Sequence, residues 1–259
     1  MPEGDTILRV ARRIRPVLEG AVPDEILTPQ ARHACDHWPE RLRGRAVTQV
    51  DTHGKHLFLR FEGDLVLHSH LRMTGAWAVY RHGARWRRSA RRAWLIIRSR
   101  GHDVVEFDGP VLELMTDGRT RFDQRLAALG PDALAEQFDA DRFLARLRAD
   151  DPTRGIGDAL LDQRIVAGLG NIWKAEGCWG ARLDPWRRVR DVSDEEALAV
   201  IADVRPRMLE AAERRVLDKG ARKIYDRAGR PCPRCGTPIQ ARGQGDDNRT
   251  TFWCPGCQR

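Results

Sequence analysis

The sequence predicts an α+β chain in three consecutive parts, and three observations predict it. A helix-period stretch opens the chain; short strand-like segments follow to about residue 115; helical segments then lead into a cysteine-rich end. No internal repeat, low-complexity stretch or long linker interrupts that order.

The opening helix is read over residues 5–19, where Ile7, Val10, Ala11, Ile14, Val17 and Leu18 recur at three- and four-residue spacing and Gly20 is a stop. Pro2, Glu3, Gly4 and Asp5 suit a helix start, and Pro16 argues against a regular last turn. Strand signals lie at 46–51, 57–61, 65–68, 77–80, 94–98 and 104–107, punctuated by Gly54, Gly63, Gly75 and Gly101. Strands at this spacing point to an antiparallel sandwich or barrel. Pro131 begins a different region, with helices read at 139–149, 156–166, 171–179 and 193–218.

The 259 residues and 41% hydrophobic content suit one large domain or two to three smaller ones, and exclude a disordered chain. No apolar run approaches the roughly 18 residues of a membrane span. The start MPEGDT has neither the basic nor the apolar stretch of a signal peptide, so the expectation is a cytoplasmic protein with no membrane partner. The formal charge of +8 favours an anionic partner: nucleic acid first, with an acidic protein or a membrane surface as rivals. Residues 81–100 hold eight arginines and no acid, which reads either as an anion-binding surface or as a solvated face. Only four of the 45 basic residues are lysines (Lys55, Lys174, Lys219, Lys223), so each lysine raises a question.

Cys232, Cys235, Cys254 and Cys257 form two C-x2-C pairs 18 residues apart, the spacing of a closed four-thiolate zinc site whose metal is structural. The intervening stretch reads as a hairpin with arms at 239–242 and 250–253 and Arg249 in its tip. Metal binding supplies most of the folding energy of so small a unit. Cys35 and Cys178 read as small buried hydrophobes.

Gly168 and Gly170 break the helical pattern before a new helix that Asn171 is placed to cap. Such a turn lets backbone N–H groups approach a phosphate, and equally suits an ordinary helix hairpin. Pro2 becomes a terminal secondary amine once Met1 is removed, and a neutral amine attacks a sugar C1′ to form an iminium. Glu3 beside it is placed to shuttle protons. Lys55 lies in the turn between two strands, as a compact ammonium for a phosphate or as a solvated turn residue. Arg72 and Met73 share another inter-strand loop, suited to a phosphate contact and a wedge between bases, or to a plain surface turn.

Together these pieces resemble the formamidopyrimidine-DNA glycosylase / endonuclease VIII family, on its endonuclease VIII side. The likeness rests on Pro2-Glu3-Gly4, Gly54-Lys55, the Met73 loop, Gly168-Leu169-Gly170-Asn171 with Glu176 behind it, and the four-cysteine ribbon with Arg249 five residues before Cys254. It implies an N-terminal β-sandwich with its opening helix over 1–128, a helix–two-turn–helix domain over 129–228 and a zinc ribbon over 229–259, with DNA in the cleft between. It implies a glycosylase that also cleaves abasic sites. Pro2 would be the nucleophile and Glu3 the proton donor in base release. Lys55 would assist ring opening or elimination, and Arg249 δ-elimination. Gly170, Asn171 and Arg249 would hold phosphates, with Met73 filling part of the void left by a flipped base and Arg72 beside it in contact with DNA. One structural Zn2+, no organic cofactor, damaged DNA as partner, a monomeric state and a bacterial, nucleoid-associated location complete the expectation. Thr6 departs from relatives that carry a second glutamate there. The Arg-Arg-Phe-Gly intercalation loop of the formamidopyrimidine branch finds no counterpart in residues 117–124. Two other readings remain at this point: a non-catalytic binder of abasic or single-stranded DNA on the same scaffold, and a zinc-ribbon accessory factor of transcription or translation.

Overall fold

In a computed structural model, the structure describes residues 2–214 and 222–259, the side chains of residues 34 and 35 excepted. Met1, Lys219, the 215–218 end of the last predicted helix and the environment of the Cys35 thiol therefore lie outside the described residues. Two compact units emerge. One contains Pro2 and Thr6–Ala127; the other contains Glu3–Asp5 and Ala128–Arg259.

In the first unit, α1 (Gly4–Leu18) buries Ile7, Ala11, Ile14 and Leu18, as the spacing demands. Two four-stranded antiparallel sheets follow. One runs in the order β1 (Glu25–Leu27), β6 (Ala93–Ser99), β7 (His102–Phe107), β5 (Ala76–Arg81). The other runs β2 (Val47–His53), β3 (His56–Phe61), β4 (Leu65–His70), β8 (Val111–Thr116). Alternate residues of both sheets, among them Leu57, Leu59, Phe61, Leu65, Leu67, Leu95, Ile97 and Val104, share one core with α1. The predicted sandwich is present. The outer face of the β6–β7 sheet is covered as well, since Ala93, Ile96, Val105 and Phe107 pack with Tyr80 and Trp86. β1 and the short helices α2 (Trp38–Leu42), α3 (Asp117–Phe122) and α4 (Gln124–Ala127) carry too few residues for a periodic signal, and β8 closes the strand-rich region.

The arginine-rich stretch is less of a free cationic surface than its composition suggests. Arg92 pairs with Asp108 at 2.6 Å, Arg98 pairs with Glu25 and Asp103, and Arg100 donates to the carbonyls of Pro16 and Glu19.

The second unit contains α5 (Ala140–Arg148), α6 (Ile156–Ala159), α7 (Asn171–Gly180), α8 (Asp194–Glu213) and a hairpin of β9 (Gln240–Gln244) and β10 (Arg249–Trp253). Ser193 and Glu196 form a capping box at the start of α8. The helix expected over 156–166 stops at Ala159. Side chains compete for the backbone beyond it. Asp162 accepts from the Arg164 N–H at 2.9 Å, and Gln163 donates to the carbonyls of Leu161 and Leu169. The apolar residues that suggested a helix, Leu160, Ile165 and Val166, are buried all the same. α7 is covered on two sides. Cys178 joins the core of α5, α6 and α8, while Ala175 joins a second core with Ile224, Ile239 and Phe252.

Candidate active site

The structure seats the Glu3 carboxylate on the N-terminus of α7. Its Oε1 accepts from the Ile172 N–H at 2.9 Å, and its Oε2 accepts from those of Gly170 at 3.1 Å and Trp173 at 3.3 Å. These are the groups a helix start leaves without partners, and the helix dipole adds to them. Glu3 is only 2% exposed, so the amides stand in for lost water and stabilise the ionised carboxylate. This corrects the expectation for Gly170, whose N–H is not open to a phosphate because Glu3 occupies it together with those of Ile172 and Trp173. Gly170 has to be glycine, since a Cβ there would sit 2.3 Å from Glu3 Cδ. Asn171 is likewise not the cap. Gly170 is the N-cap, and Asn171 is the first helical residue, whose Nδ2 donates to the Thr250 carbonyl at 2.7 Å.

Two further charged side chains are buried on the same helix. Lys174 is 0% exposed and donates to Thr251 Oγ1 on β10. Burial lowers its pKa to about 8, opposed by the nearby Cys178, Asp158 and Glu3. The Glu176 carboxylate accepts from the N–H groups of Lys223, Ile224 and Tyr225, each at 3.0 Å, and from Arg207 at 3.4 Å. Tyr225 is thereby fixed beside Asn171. Burial, then the Glu3 charge, push its phenol pKa up, and the Asn171 side chain opposes them.

Arg249 opens β10, paired with Gln244, and the turn is 245–248, so Arg249 is a strand residue rather than part of the tip. Its guanidinium is partly exposed, with Asp247 at 3.6 Å. The sulfurs of Cys232, Cys235, Cys254 and Cys257 all lie within 4.8 Å of one another. A tetrahedral site with metal–sulfur bonds of about 2.3 Å needs sulfurs about 3.8 Å apart. Trp179 Nε1 lies 3.3 Å from Cys232 Sγ and Arg234 Nη1 lies 3.7 Å from Cys257 Sγ, donors that suit metal-bound thiolates. The donor set fits a closed structural metal centre.

The other predicted site residues belong to the first unit. Pro2 is partly exposed. Gly54, at φ +58°, and Lys55 make the two-residue turn between β2 and β3. Arg72 adopts the left-handed conformation, φ +43°, and Met73 beside it is 67% exposed. Thr74 ties this loop to the Asp108 carbonyl at 3.1 Å. Phe122, at the end of α3, is 86% exposed. It lies in residues 117–124, where the sequence shows no intercalation motif, and its exposure is visible only in the structure. Tyr225 and Lys174 were also not singled out as site residues; the scarcity of lysine was the one available signal for the latter.

Comparison with known proteins follows the same lines. Residues 1–127 match the formamidopyrimidine-DNA glycosylase N-terminal domain, and residues 129–220 match the formamidopyrimidine-DNA glycosylase H2TH domain. The chain is 40% identical to a probable endonuclease 8 2 of Streptomyces coelicolor, over 100% of this chain and 94% of the relative. It is 35% identical to the DNA-(apurinic or apyrimidinic site) lyase Nei2 of Mycolicibacterium smegmatis, over 100% and 99%. Among solved structures, Lactococcus lactis formamidopyrimidine-DNA glycosylase bound to DNA containing an abasic site superposes with a TM-score of 0.84 at 24% identity, over all of both chains.

Proposed function

The chain belongs to the formamidopyrimidine-DNA glycosylase family, in which the endonuclease 8 proteins are its relatives, and from that premise we propose that it is a bifunctional DNA glycosylase and abasic-site lyase. It removes oxidised bases, pyrimidines first, and cleaves the abasic strand by β,δ-elimination. The observation that carries this reading is the Glu3 carboxylate held on three amides, one residue from Pro2.

The chemistry proceeds from Pro2, exposed by loss of Met1. The nitrogen lone pair attacks C1′, and the bond from C1′ to the base breaks with its electron pair leaving on the base. Ring opening, with a proton delivered to O4′, gives the iminium. The iminium acidifies the C2′ proton. Its removal expels the 3′ phosphate, a second elimination expels the 5′ phosphate, and water releases the enzyme. Glu3 begins as a carboxylate, so it takes up a proton before giving one, a shuttle rather than a resting acid. Lys55 assists ring opening and elimination and holds the flanking phosphate. Asn171, Arg249 and Tyr225 hold phosphates at the lesion. Met73 and Phe122 supply apolar wedges where the base has left the stack, and Arg72 adds charge.

The four cysteines hold zinc, which supplies fold stability and no step of the reaction. No described helix is long and apolar enough to cross a membrane. The protein acts as a monomer on damaged bacterial DNA. Borohydride reduction of an abasic duplex with the mature protein is expected to give a covalent adduct that Pro2→Gly abolishes. Binding without cleavage by the parent would instead favour the non-catalytic reading.

A further inference from the structure

We infer that Lys174 is a positioning residue for two of these groups: its charge favours the ionised form of Glu3, and its hydrogen bond places the strand that carries Arg249. The inference rests on the proton and phosphate roles proposed for Glu3 and Arg249.

A fully buried ammonium is costly unless it is paired, and among the described residues Lys174 forms no ion pair. Its hydrogen bond leads instead into a directed chain. Lys174 donates to Thr251 Oγ1, that hydroxyl donates to Gln244 Oε1 at 2.8 Å, and Gln244 Nε2 donates to the Pro185 carbonyl at 2.7 Å. An ammonium only donates and a carbonyl only accepts, so every group between them has a single orientation. Both strands of the hairpin are locked in this way. Thr251 is two residues from Arg249 and one from Thr250, whose carbonyl Asn171 holds.

The charge has few anions to compensate. Asp158, Cys178 and Glu3 face it. Asp158 is committed to Arg154 at 2.6 Å, and burial pushes the Cys178 thiol up to about 12, which keeps it neutral. Glu3 remains, with Tyr225 also facing it. In a low-dielectric interior a full positive charge favours the carboxylate beyond what amides supply. A chain that uses arginine almost everywhere keeps a lysine at this fully buried position.

Three variants separate the two roles. Lys174→Met keeps the stem but loses charge and donor; Lys174→Gln loses the charge but keeps a donor; Thr251→Val loses the acceptor but keeps the charge. The pH profile of base release, the ratio of δ to β product, KM and zinc content are measured for each. Both Lys174 variants are expected to move the limb belonging to Glu3 to higher pH by about one unit. Thr251→Val is expected to leave that limb in place while raising KM and lowering the share of δ product several-fold, with zinc retained. Parental pH profiles in both Lys174 variants, with Pro2→Gly and Glu3→Gln inactive, would overturn the inference alone. If Pro2→Gly and Glu3→Gln also retain activity, the reading of the site itself is at fault.

Discussion

The β3–β4 face of the first unit and helix α7 of the second bury polar groups by opposite routes. On the strands, His56, His68 and His70 form a ladder, with His56 stacked on His68, its Nδ1 2.8 Å from His68 Nε2, and the tilted His56 and His70 rings 4.6 Å apart. His68 Nδ1 continues to Glu113 at 3.3 Å, which Arg125 holds at 2.9 Å. Here burial removes charge. It lowers His56 to about 2 and His70 to about 4, aided by neighbouring imidazoles and, for His70, by Arg72 and Lys55. At α7, the Glu3 and Glu176 carboxylates are instead each surrounded by backbone N–H groups. A group that can give up its proton becomes neutral when buried. A carboxylate at a helix end or against a turn keeps its charge because donors are already in place.

Removing a carboxylate from its amides breaks the comparison most severely. Glu176→Ala leaves the N–H groups of Lys223, Ile224 and Tyr225 without their acceptor, while Arg207 keeps Asp203, and a loss of about 3–5 kcal/mol in chemical denaturation is expected. A loss below 1 kcal/mol would mean that water replaces the carboxylate and that α7 is not dry.

A pH titration of stability probes the ladder. Its histidines titrate lower in the folded protein than their ordinary 6.5, so the unfolded chain takes up protons first as pH falls. Stability from the neutral ladder is complete above 6.5 and declines as the pH drops through about 4, the value of His70, toward about 2, the value of His56. His68→Phe is expected to shrink that decline relative to the parent. An unchanged pH dependence would show that the imidazoles are not the groups responsible.

The smallest effect tests the exposed end of the ladder. Arg72→Gly relieves a left-handed backbone worth about 1–2 kcal/mol and adds about 0.5–1 kcal/mol of chain entropy to the unfolded state, so a net gain of at most about 1 kcal/mol is expected, with DNA affinity weakened several-fold. Loss of stability would mean that the side chain, rather than the backbone conformation, dominates at this position.

How much of this was legible in the sequence follows from the reach of each interaction. The α1 stripe, the strand alternation and the cysteine spacing are local patterns, and each appears as read. The same logic overextended α6, because Leu160, Ile165 and Val166 are buried in turns as well as they would be in a helix. The sequence marks Glu3 as a candidate proton shuttle but gives no sign that it occupies the α7 amides, since Gly170 lies 167 positions further along the chain. The histidine ladder depends on the cross-strand pairing of His56 with His70, which no spacing along the chain announces. Phe122 reads as an ordinary apolar residue until its exposure is known.

The central claim is that Pro2 is the reacting amine. The most direct measurement is to digest the borohydride-trapped adduct on abasic DNA and map it by mass spectrometry. The account predicts a reduced sugar remnant on the N-terminal peptide beginning Pro2-Glu3-Gly4. A remnant on a lysine, or on a peptide that still carries Met1, would contradict it.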